Sequence, residues 1–165
     1  MWGGMAVAIA RPLQLARRLE QVPAEALPVR EGDAGAEPWY LFAHCTEKTA
    51  KPSTHGDWST LFRRFGATLQ PVSVGCCGMA GTYGHDAKQV ENSKGIYGLS
   101  WAEPLERLPK ARCLATGYSC RSQVKRMEGE MLRHPLQALL ELMGQAFDGG
   151  TDIQTPIESA IERVH

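Results

Sequence analysis

The residues best suited to chemistry in this chain are its five cysteines. Two of them are adjacent and lie within a glycine-rich stretch, Gly75–His85, with the sequence GCCGMAGTYGH. Soft thiolates select iron–sulfur clusters, zinc or Cu(I), and glycines let backbone amides approach a cluster closely enough to donate to its sulfurs. The pattern therefore predicts a soft-metal or redox site. The available thiols are Cys45, Cys76, Cys77, Cys113 and Cys120.

The number and spacing of the cysteines leave three kinds of site open. An odd number of cysteines in a chain without an export signal argues against a disulfide framework. An iron–sulfur cluster is the first. A zinc ion held by three or four of the thiolates is the alternative, although the two tight cysteine pairs of a zinc ribbon are missing. A thiol–disulfide catalyst using Cys76 and Cys77 is disfavoured, because adjacent cysteines form strained disulfides and there is no CxxC motif.

Composition narrows the class of protein. The 18 basic residues balance the 18 acidic residues, so there is no basic field and we expect no nucleic-acid partner. No apolar stretch approaches the roughly 20 residues that a membrane-spanning helix needs, and no signal peptide is predicted. We expect a cytoplasmic protein, with peripheral attachment to the inner membrane through a partner left open.

Short strands alternate with helices along the chain, which predicts an α/β fold with a mostly parallel sheet and flanking helices. The predicted strands are 39–43, 69–74 and 112–116. The predicted helices are 12–22, 57–65, 86–99, 121–127, 135–147 and 156–164. Pro71 places the second strand at an edge of the sheet.

The cysteines fall at the carboxyl ends of the predicted strands, where ligands gather in parallel sheets. We therefore expect Cys45, Cys76 and Cys120 to share one edge, while Cys113, inside the third strand, is expected to be a buried structural thiol. Three regions are predicted. They are an N-terminal helix and linker over 1–36, a cysteine-rich domain over 37–147, and a tail with a short helix over 148–165.

Four segments of this domain carry a family resemblance: His44–Thr49, Gly75–His85, Thr116–Arg126 and Arg133–Pro135. Their cysteine layout resembles the CCG, or cysteine-rich, domain of iron–sulfur oxidoreductases, such as heterodisulfide reductase B subunits. A closer resemblance is to the C-terminal end of large bacterial FAD-linked oxidases, the D-lactate and D-2-hydroxyglutarate dehydrogenases that carry iron–sulfur domains. It covers most of the chain.

The resemblance implies that Cys45, Cys76, Cys77 and Cys120 hold an iron–sulfur cluster, most simply a 4Fe–4S cluster. It implies an electron-transfer module of a FAD-linked D-2-hydroxyacid dehydrogenase. One position departs from the family pattern, which ends in CxxC: Gly117 stands where the first of those two cysteines is expected. Four thiolates still suffice for one cluster.

The flavin-binding domain and the ferredoxin-like cluster motifs of such enzymes are missing from these 165 residues. The resemblance therefore implies a FAD-binding partner domain or subunit and an electron acceptor such as a quinone. We expect this chain to be a terminal fragment of a larger enzyme, rather than a separate subunit, and not a complete enzyme on its own.

The polar residues near the cysteines are expected to support the site rather than to form it. His44 and His85 are predicted to be hydrogen-bonding neighbours and not ligands. The amides of Gly78, Ala80 and Gly81 are expected to donate to sulfur. Four cations are interpreted as a solvated face rather than as anion contacts. These are Lys48, Arg121, Lys125 and Arg126.

Overall fold

A three-stranded parallel sheet forms the centre of the fold. The computed structural model describes residues 18, 21, 37–50 and 52–143. The central strand β1 (Trp39–Phe42) pairs with β2 (Leu69–Pro71) on one side and β3 (Cys113–Ala115) on the other. The predicted α/β fold with a parallel sheet and flanking helices is confirmed.

Six α-helices surround the sheet in the described part of the chain. They are α1 (Cys45–Ala50), α2 (Thr54–Arg64), α3 (Val90–Gly98), α4 (Ala102–Arg107), α5 (Tyr118–Glu128) and α6 (Pro135–Leu142). Single 3-10 turns are formed by Tyr83–His85 and Lys110–Arg112. Among the described residues, no helix combines the length and the apolar character needed to cross a membrane.

Two hydrophobic cores lie on opposite faces of the sheet, because successive side chains of a strand point to opposite sides. Trp39 and Leu41 of β1 belong to the first core, which we call the helical core, and Phe42 belongs to the second, the cysteine core. The helical core is filled largely by apolar residues of α2 and α6. They include Trp58, Leu61, Phe62, Leu136, Leu139, Leu140 and Leu142.

The cysteine core is built by α3, α4, α5 and the loop that carries Cys76 and Cys77, residues 75–85, which we call the cysteine loop. It contains Val74, Cys77, Met79, Tyr97, Trp101, Leu105, Cys113, Cys120, Val124 and Leu132. Trp101 stacks on Tyr97 with ring centroids 6.3 Å apart and lies against Phe42 at 5.2 Å. Three of the five cysteines are thus packed among aromatic and aliphatic side chains on one face of the sheet.

Several element boundaries differ from those predicted. The second strand lies at the edge as expected but ends at Pro71, so 72–74 are not part of it. The helix predicted from Asp57 begins at Thr54, because the amide of Asp57 already bonds the carbonyl of Ser53 at 3.1 Å. The helix predicted over 121–127 begins earlier, at Tyr118. Helices α1 and α4 were not predicted.

The remaining predictions concern residues that are mostly not described. The helix predicted over 135–147 is observed as Pro135–Leu142, and the positions after residue 143 lie outside the described residues. The helix predicted over 156–164 lies outside them as well, as does that over 12–22 except for residues 18 and 21. The three-region division stays a prediction.

Candidate functional site

The turns after β1 and β3 bring Cys45 and Cys120 to the same edge of the sheet. The prediction placed both thiols at strand tips, but neither lies there. Cys45 opens α1 and Cys120 lies in the first turn of α5, because a helix starts almost directly after each strand. The two turns are joined where the amide of His44 donates to Thr116 Oγ1 at 3.0 Å.

Cys76 and Cys77 reach this edge on a loop that follows β2. The loop is anchored at Gly75, whose amide donates to Ser100 Oγ at 2.9 Å and whose carbonyl accepts from Trp101 Nε1 at 3.2 Å. Lys48 Nζ of α1 donates to the carbonyl of Val74. The adjacent thiols are therefore fixed from both sides, by α1 and by the junction between α3 and α4.

The loop after the two thiols turns its backbone amides toward sulfur. Gly78, Ala80 and Gly81 have φ of +85°, +38° and +68°. Such conformations make concave nests of N–H groups that bind anions. The amide of Gly78 donates to Cys76 Sγ at 3.4 Å, and the amides of Met79, Cys77 and Ala80 lower the pKa of Cys77. Of the expected donors, Gly78 therefore donates to a thiol sulfur, and Ala80 favours the charged form of Cys77.

Cys77 and Cys120 form a buried hydrogen-bonded pair, the inner pair. The pKa of Cys77 falls to about 6, first because the Cys120 thiol donates to it and then because the loop amides do, which together outweigh burial. The pKa of Cys120 is raised, first by its hydrogen bond to Cys77 and then by burial. The contact between the two thiols therefore lowers the pKa of Cys77 and raises that of Cys120.

Cys45 and Cys76 form a second, half-buried pair, the outer pair. Burial raises the pKa of Cys76, and the charge of Cys45 and a hydrogen bond between the two side chains add to this. Cys45 also raises the pKa of Cys120 through its charge. The four predicted thiols are therefore neighbours, arranged as one buried and one partly exposed pair.

This donor set satisfies the chemistry of a cluster more closely than that of a preformed metal cage. Within the described ranges, no three His, Cys, Asp or Glu side chains already surround a common metal position. The chain does supply four neighbouring thiols, the ligand count of a common cluster, and amides that stabilise negative charge on sulfur. The four thiols therefore match an iron–sulfur cluster in ligand type and number, while no three of them in the described ranges already enclose a metal position.

His44 occupies the space that the missing CxxC cysteine would need. A Cβ added at Gly117 would lie 2.3 Å from Cδ2 of His44 and 3.0 Å from Cys120 Sγ. A side chain at this position would therefore collide with the imidazole ring. The glycine at position 117 is therefore explained by the imidazole ring of His44, which leaves no room for a side chain there.

His44 is held as a neutral ring next to Cys120. Burial lowers its pKa, and Lys48 adds to this while Glu47 opposes it. Nδ1 accepts from the amide of Thr46 at 3.2 Å, so the neutral ring carries its proton on Nε2, which faces Ser119 Oγ at 3.2 Å. Ser119 in turn hydrogen-bonds the Cys120 side chain. His44 is thus a hydrogen-bonding neighbour of the site, as its sequence context predicted.

Glu47 is a functional-site neighbour that sequence reasoning missed, because α1 was not predicted. Its carboxylate is buried and accepts from Thr116 Oγ1 and from Trp58 Nε1, the latter at 3.3 Å. Thr116 is also the residue that receives the amide of His44. Glu47 therefore fixes the junction of the two turns that carry Cys45 and Cys120.

The other candidate residues lie outside the four-thiol group. His85 is exposed and contacts Arg126 at 3.2 Å. Arg126 is exposed as expected and also donates to the carbonyl of Gly84, whereas Lys48 is half-buried and donates to that of Val74. Lys125 is exposed as expected, whereas Arg121 is partly buried over the Tyr118 ring. Cys113 is buried in β3 and burial raises its pKa to about 12, which agrees with a structural thiol.

Comparison with known proteins identifies long relatives of this chain. It is 63% identical to a D-2-hydroxyglutarate dehydrogenase of Pantoea ananatis over 120 residues, which are 72% of this chain and 12% of that protein. It is 66% identical over 107 residues to the Escherichia coli protein of the same name, covering 65% of this chain and 10% of the relative. A Pseudomonas putida protein of that name is 50% identical over 101 residues.

No family model and no solved structure matches the chain. The chain spans about a tenth of the length of the curated relatives it matches. At 50% to 66% identity over 61% to 72% of its length, it is related to one segment of proteins named D-2-hydroxyglutarate dehydrogenase.

Proposed function

We propose that this chain is an iron–sulfur electron-transfer module of a FAD-linked D-2-hydroxyacid dehydrogenase. One structural observation carries the proposal: four thiols from three separate segments meet at one edge of the sheet, and the buried thiolate among them is lined by backbone amides. The names of the relatives support a D-2-hydroxy acid, D-2-hydroxyglutarate, as the substrate of the complete enzyme.

The proposed ligands are Cys45, Cys76, Cys77 and Cys120. A bound cluster, most simply 4Fe–4S, supplies one-electron transfer, while a flavin elsewhere in the enzyme takes the hydride from the hydroxy acid. The chain's own contribution is to present four sulfurs, to place amide dipoles against the inner pair, and to exclude water from it with the cysteine core. Hydrogen bonds to sulfur and low solvent access both tune the potential of such a group.

The outer pair gives the proposed site a side from which electrons can enter or leave. Cys45 and Cys76 are partly exposed, whereas Cys77 and Cys120 are buried. We assign this side to a FAD-binding partner domain or subunit and to an acceptor such as a quinone. The much greater length of the relatives supports the need for such a partner domain. A cytoplasmic location, with peripheral contact to the inner membrane through the partner, belongs to the same proposal.

Reconstitution of the 165-residue chain with iron and sulfide under anaerobic conditions tests the function. We expect broad visible absorbance that bleaches with a chemical reductant and returns with a quinone analogue. Bound iron and sulfide that cannot be reduced and reoxidised would contradict electron transfer. A chain that takes up only zinc would support a structural zinc module, and reversible oxidation of Cys76 and Cys77 without any metal would support thiol–disulfide chemistry.

A further inference from the structure

Two buried polar side chains, Ser93 of α3 and Gln123 of α5, join the cysteine loop to both helices. Neither side chain has any exposed surface, 0% in each case. Ser93 Oγ donates to the carbonyl of Gly78 at 2.8 Å. Gln123 Nε2 donates to Ser93 Oγ at 3.0 Å and to the carbonyl of Ser93 at 3.2 Å. The chain of hydrogen bonds therefore ends on the residue that follows Cys77.

The backbone of α3 lies directly against this point of the loop. A Cβ added at Gly78 would lie 2.2 Å from the carbonyl oxygen of Ser93, and Gly78 has a φ of +85°. The backbone of Ser93 therefore packs against Gly78 so closely that no side chain fits on this glycine. The left-handed turn that aims the amides of Met79 and Ala80 at the Cys77 sulfur is therefore braced by α3.

Helix α5 holds the same loop at a second position. Arg126 Nη1 donates to the carbonyl of Gly84 at 2.6 Å. Helix α5 also carries Cys120, the partner of Cys77 in the inner pair. Gln123 and Arg126 thus tie the loop to the helix that supplies the opposite sulfur, so the spacing of the two sulfurs depends on these contacts.

The side-chain amide of Gln123 makes hydrogen bonds through its nitrogen but not through its oxygen. In the described part of the chain, its Oε1 has no hydrogen-bond partner, although the atom is buried. Leaving a buried acceptor unpaired costs free energy that an apolar side chain would avoid. The two hydrogen bonds that Gln123 donates to Ser93 offset this cost.

We infer that Ser93 and Gln123 are positioning residues that hold the loop of Cys76 and Cys77 in its observed shape before any cluster binds. They act through the carbonyl of Gly78. The assignment to a cluster rests on the proposed function, but the preformed loop shape can be measured without one.

Hydrogen–deuterium exchange of the metal-free chain tests this inference. In Ser93→Ala and Gln123→Leu, we expect the amides of 75–85 to exchange about tenfold faster than in the wild type, because each variant removes buried hydrogen bonds that fix the loop. Ser59→Ala is the matched control. It also removes a serine hydroxyl bonded to a backbone carbonyl, that of Leu69 at 3.3 Å, but far from the loop in the helical core region.

The same variants, loaded anaerobically with iron and sulfide, give the second measurement. We expect the loaded variants to lose iron to a chelator about 10- to 100-fold faster than the wild type, with Ser59→Ala unchanged. If Gln123→Leu does not fold, Gln123→Met keeps the length of the side chain and removes the donor.

Unchanged loop exchange in Ser93→Ala and in the folded Gln123 variant would overturn the inference, even if the wild type binds a cluster. Faster loop exchange in a chain that takes up no iron or sulfide would leave the positioning role intact and overturn the proposed function instead.

Discussion

Cys77 and Cys113 are equally buried thiols with opposite acidity. Cys77 is 2% exposed and its pKa falls to about 6, whereas Cys113 is 1% exposed and its pKa rises to about 12. Burial raises the pKa of both. Only Cys77 receives hydrogen bonds from Cys120 and from backbone amides that oppose this effect. Hydrogen bonds to sulfur, first from Cys120 and then from the loop amides, therefore separate the acidity of the two thiols, and burial does not.

The local backbone explains why the two environments differ. Cys113 begins strand β3, whose backbone pairs with β1, and its thiol donates to the carbonyl of Pro109 at 3.5 Å. Cys77 precedes a loop in left-handed conformation, which frees several amides to point at one sulfur. Cys113 in its strand is therefore a structural thiol of the core, whereas Cys77 beside this loop is a candidate ligand.

Removing the two thiols separately should break this comparison most clearly. Cys77→Ser or Cys120→Ser should abolish binding of iron and sulfide, because each removes one sulfur of the inner pair. Cys113→Ser should retain both, since its sulfur faces Pro109 and not the other thiols. Iron and sulfide analysis after anaerobic reconstitution measures the effect. Full retention of a cluster by the first two variants would refute the ligand assignment.

The role of the loop backbone can be tested at Gly78. Gly78→Ala should destabilise the chain by about 2–5 kcal/mol, because it combines a positive φ with a collision against Ser93. Gly66→Ala is the control, with a φ of +71° and open space around the added Cβ, and should cost only about 1–2 kcal/mol. Urea unfolding gives both values. Equal costs would show that the loop adapts to the added methyl group.

Acidity should distinguish the two thiols in the pH dependence of stability. The pKa of Cys77 falls from 9.0 to about 6 on folding, so between these pH values the unfolded chain binds more protons at this thiol. The free energy of unfolding of the metal-free chain should therefore rise from pH 6 to pH 9 and be lost as pH falls through 6. Cys77→Ala should remove most of this rise, as measured by urea unfolding across the range.

Cys113 should act in the opposite direction and at higher pH. Its pKa rises from 9.0 to about 12, so the folded chain binds more protons in that interval and stability should fall as pH rises through it. Cys113→Ala should reduce this fall and leave the rise between pH 6 and pH 9 unchanged. If Cys113→Ala reduced the rise between pH 6 and pH 9 as much as the fall at higher pH, the two thiols would not titrate independently, which would contradict the prediction.

The smallest effect is expected in the helical core. His134 is buried, caps α6 by accepting from the amide of Leu136 at 3.2 Å, and packs edge-on against Trp58. His134→Ala should destabilise the chain by about 1 kcal/mol through loss of the cap. Iron and sulfide content should not change, because His134 packs against Trp58 of the helical core. Loss of the cluster in this folded variant would show that the two cores are coupled.

The strands were predictable from sequence because they are short apolar runs between turn residues, such as Trp39–Phe42. Helix α6 was predictable from Pro135 at its start and leucines at helical spacing. Helix α1 was missed because its six residues, CTEKTA, are polar and too few to show a hydrophobic period. That omission also hid Glu47, whose burial depends on contacts with Thr116 and Trp58 far along the chain.

The common edge of Cys45, Cys76 and Cys120 was predictable from their position after strands, whereas the set of four ligands stays a prediction. The pairing of Cys77 with Cys120, the brace formed by Ser93, and the ring of His44 beside Gly117 were not predictable. These contacts join residues distant in sequence, and no local pattern of residue types specifies them.

Metal and sulfide content of the chain purified without oxygen tests the central claim most directly. The account predicts iron and acid-labile sulfide in comparable amounts, with broad visible absorbance, in the wild type and in Cys113→Ser but not in Cys77→Ser. Stoichiometric zinc without sulfide, or no metal even after reconstitution with iron and sulfide, would contradict it.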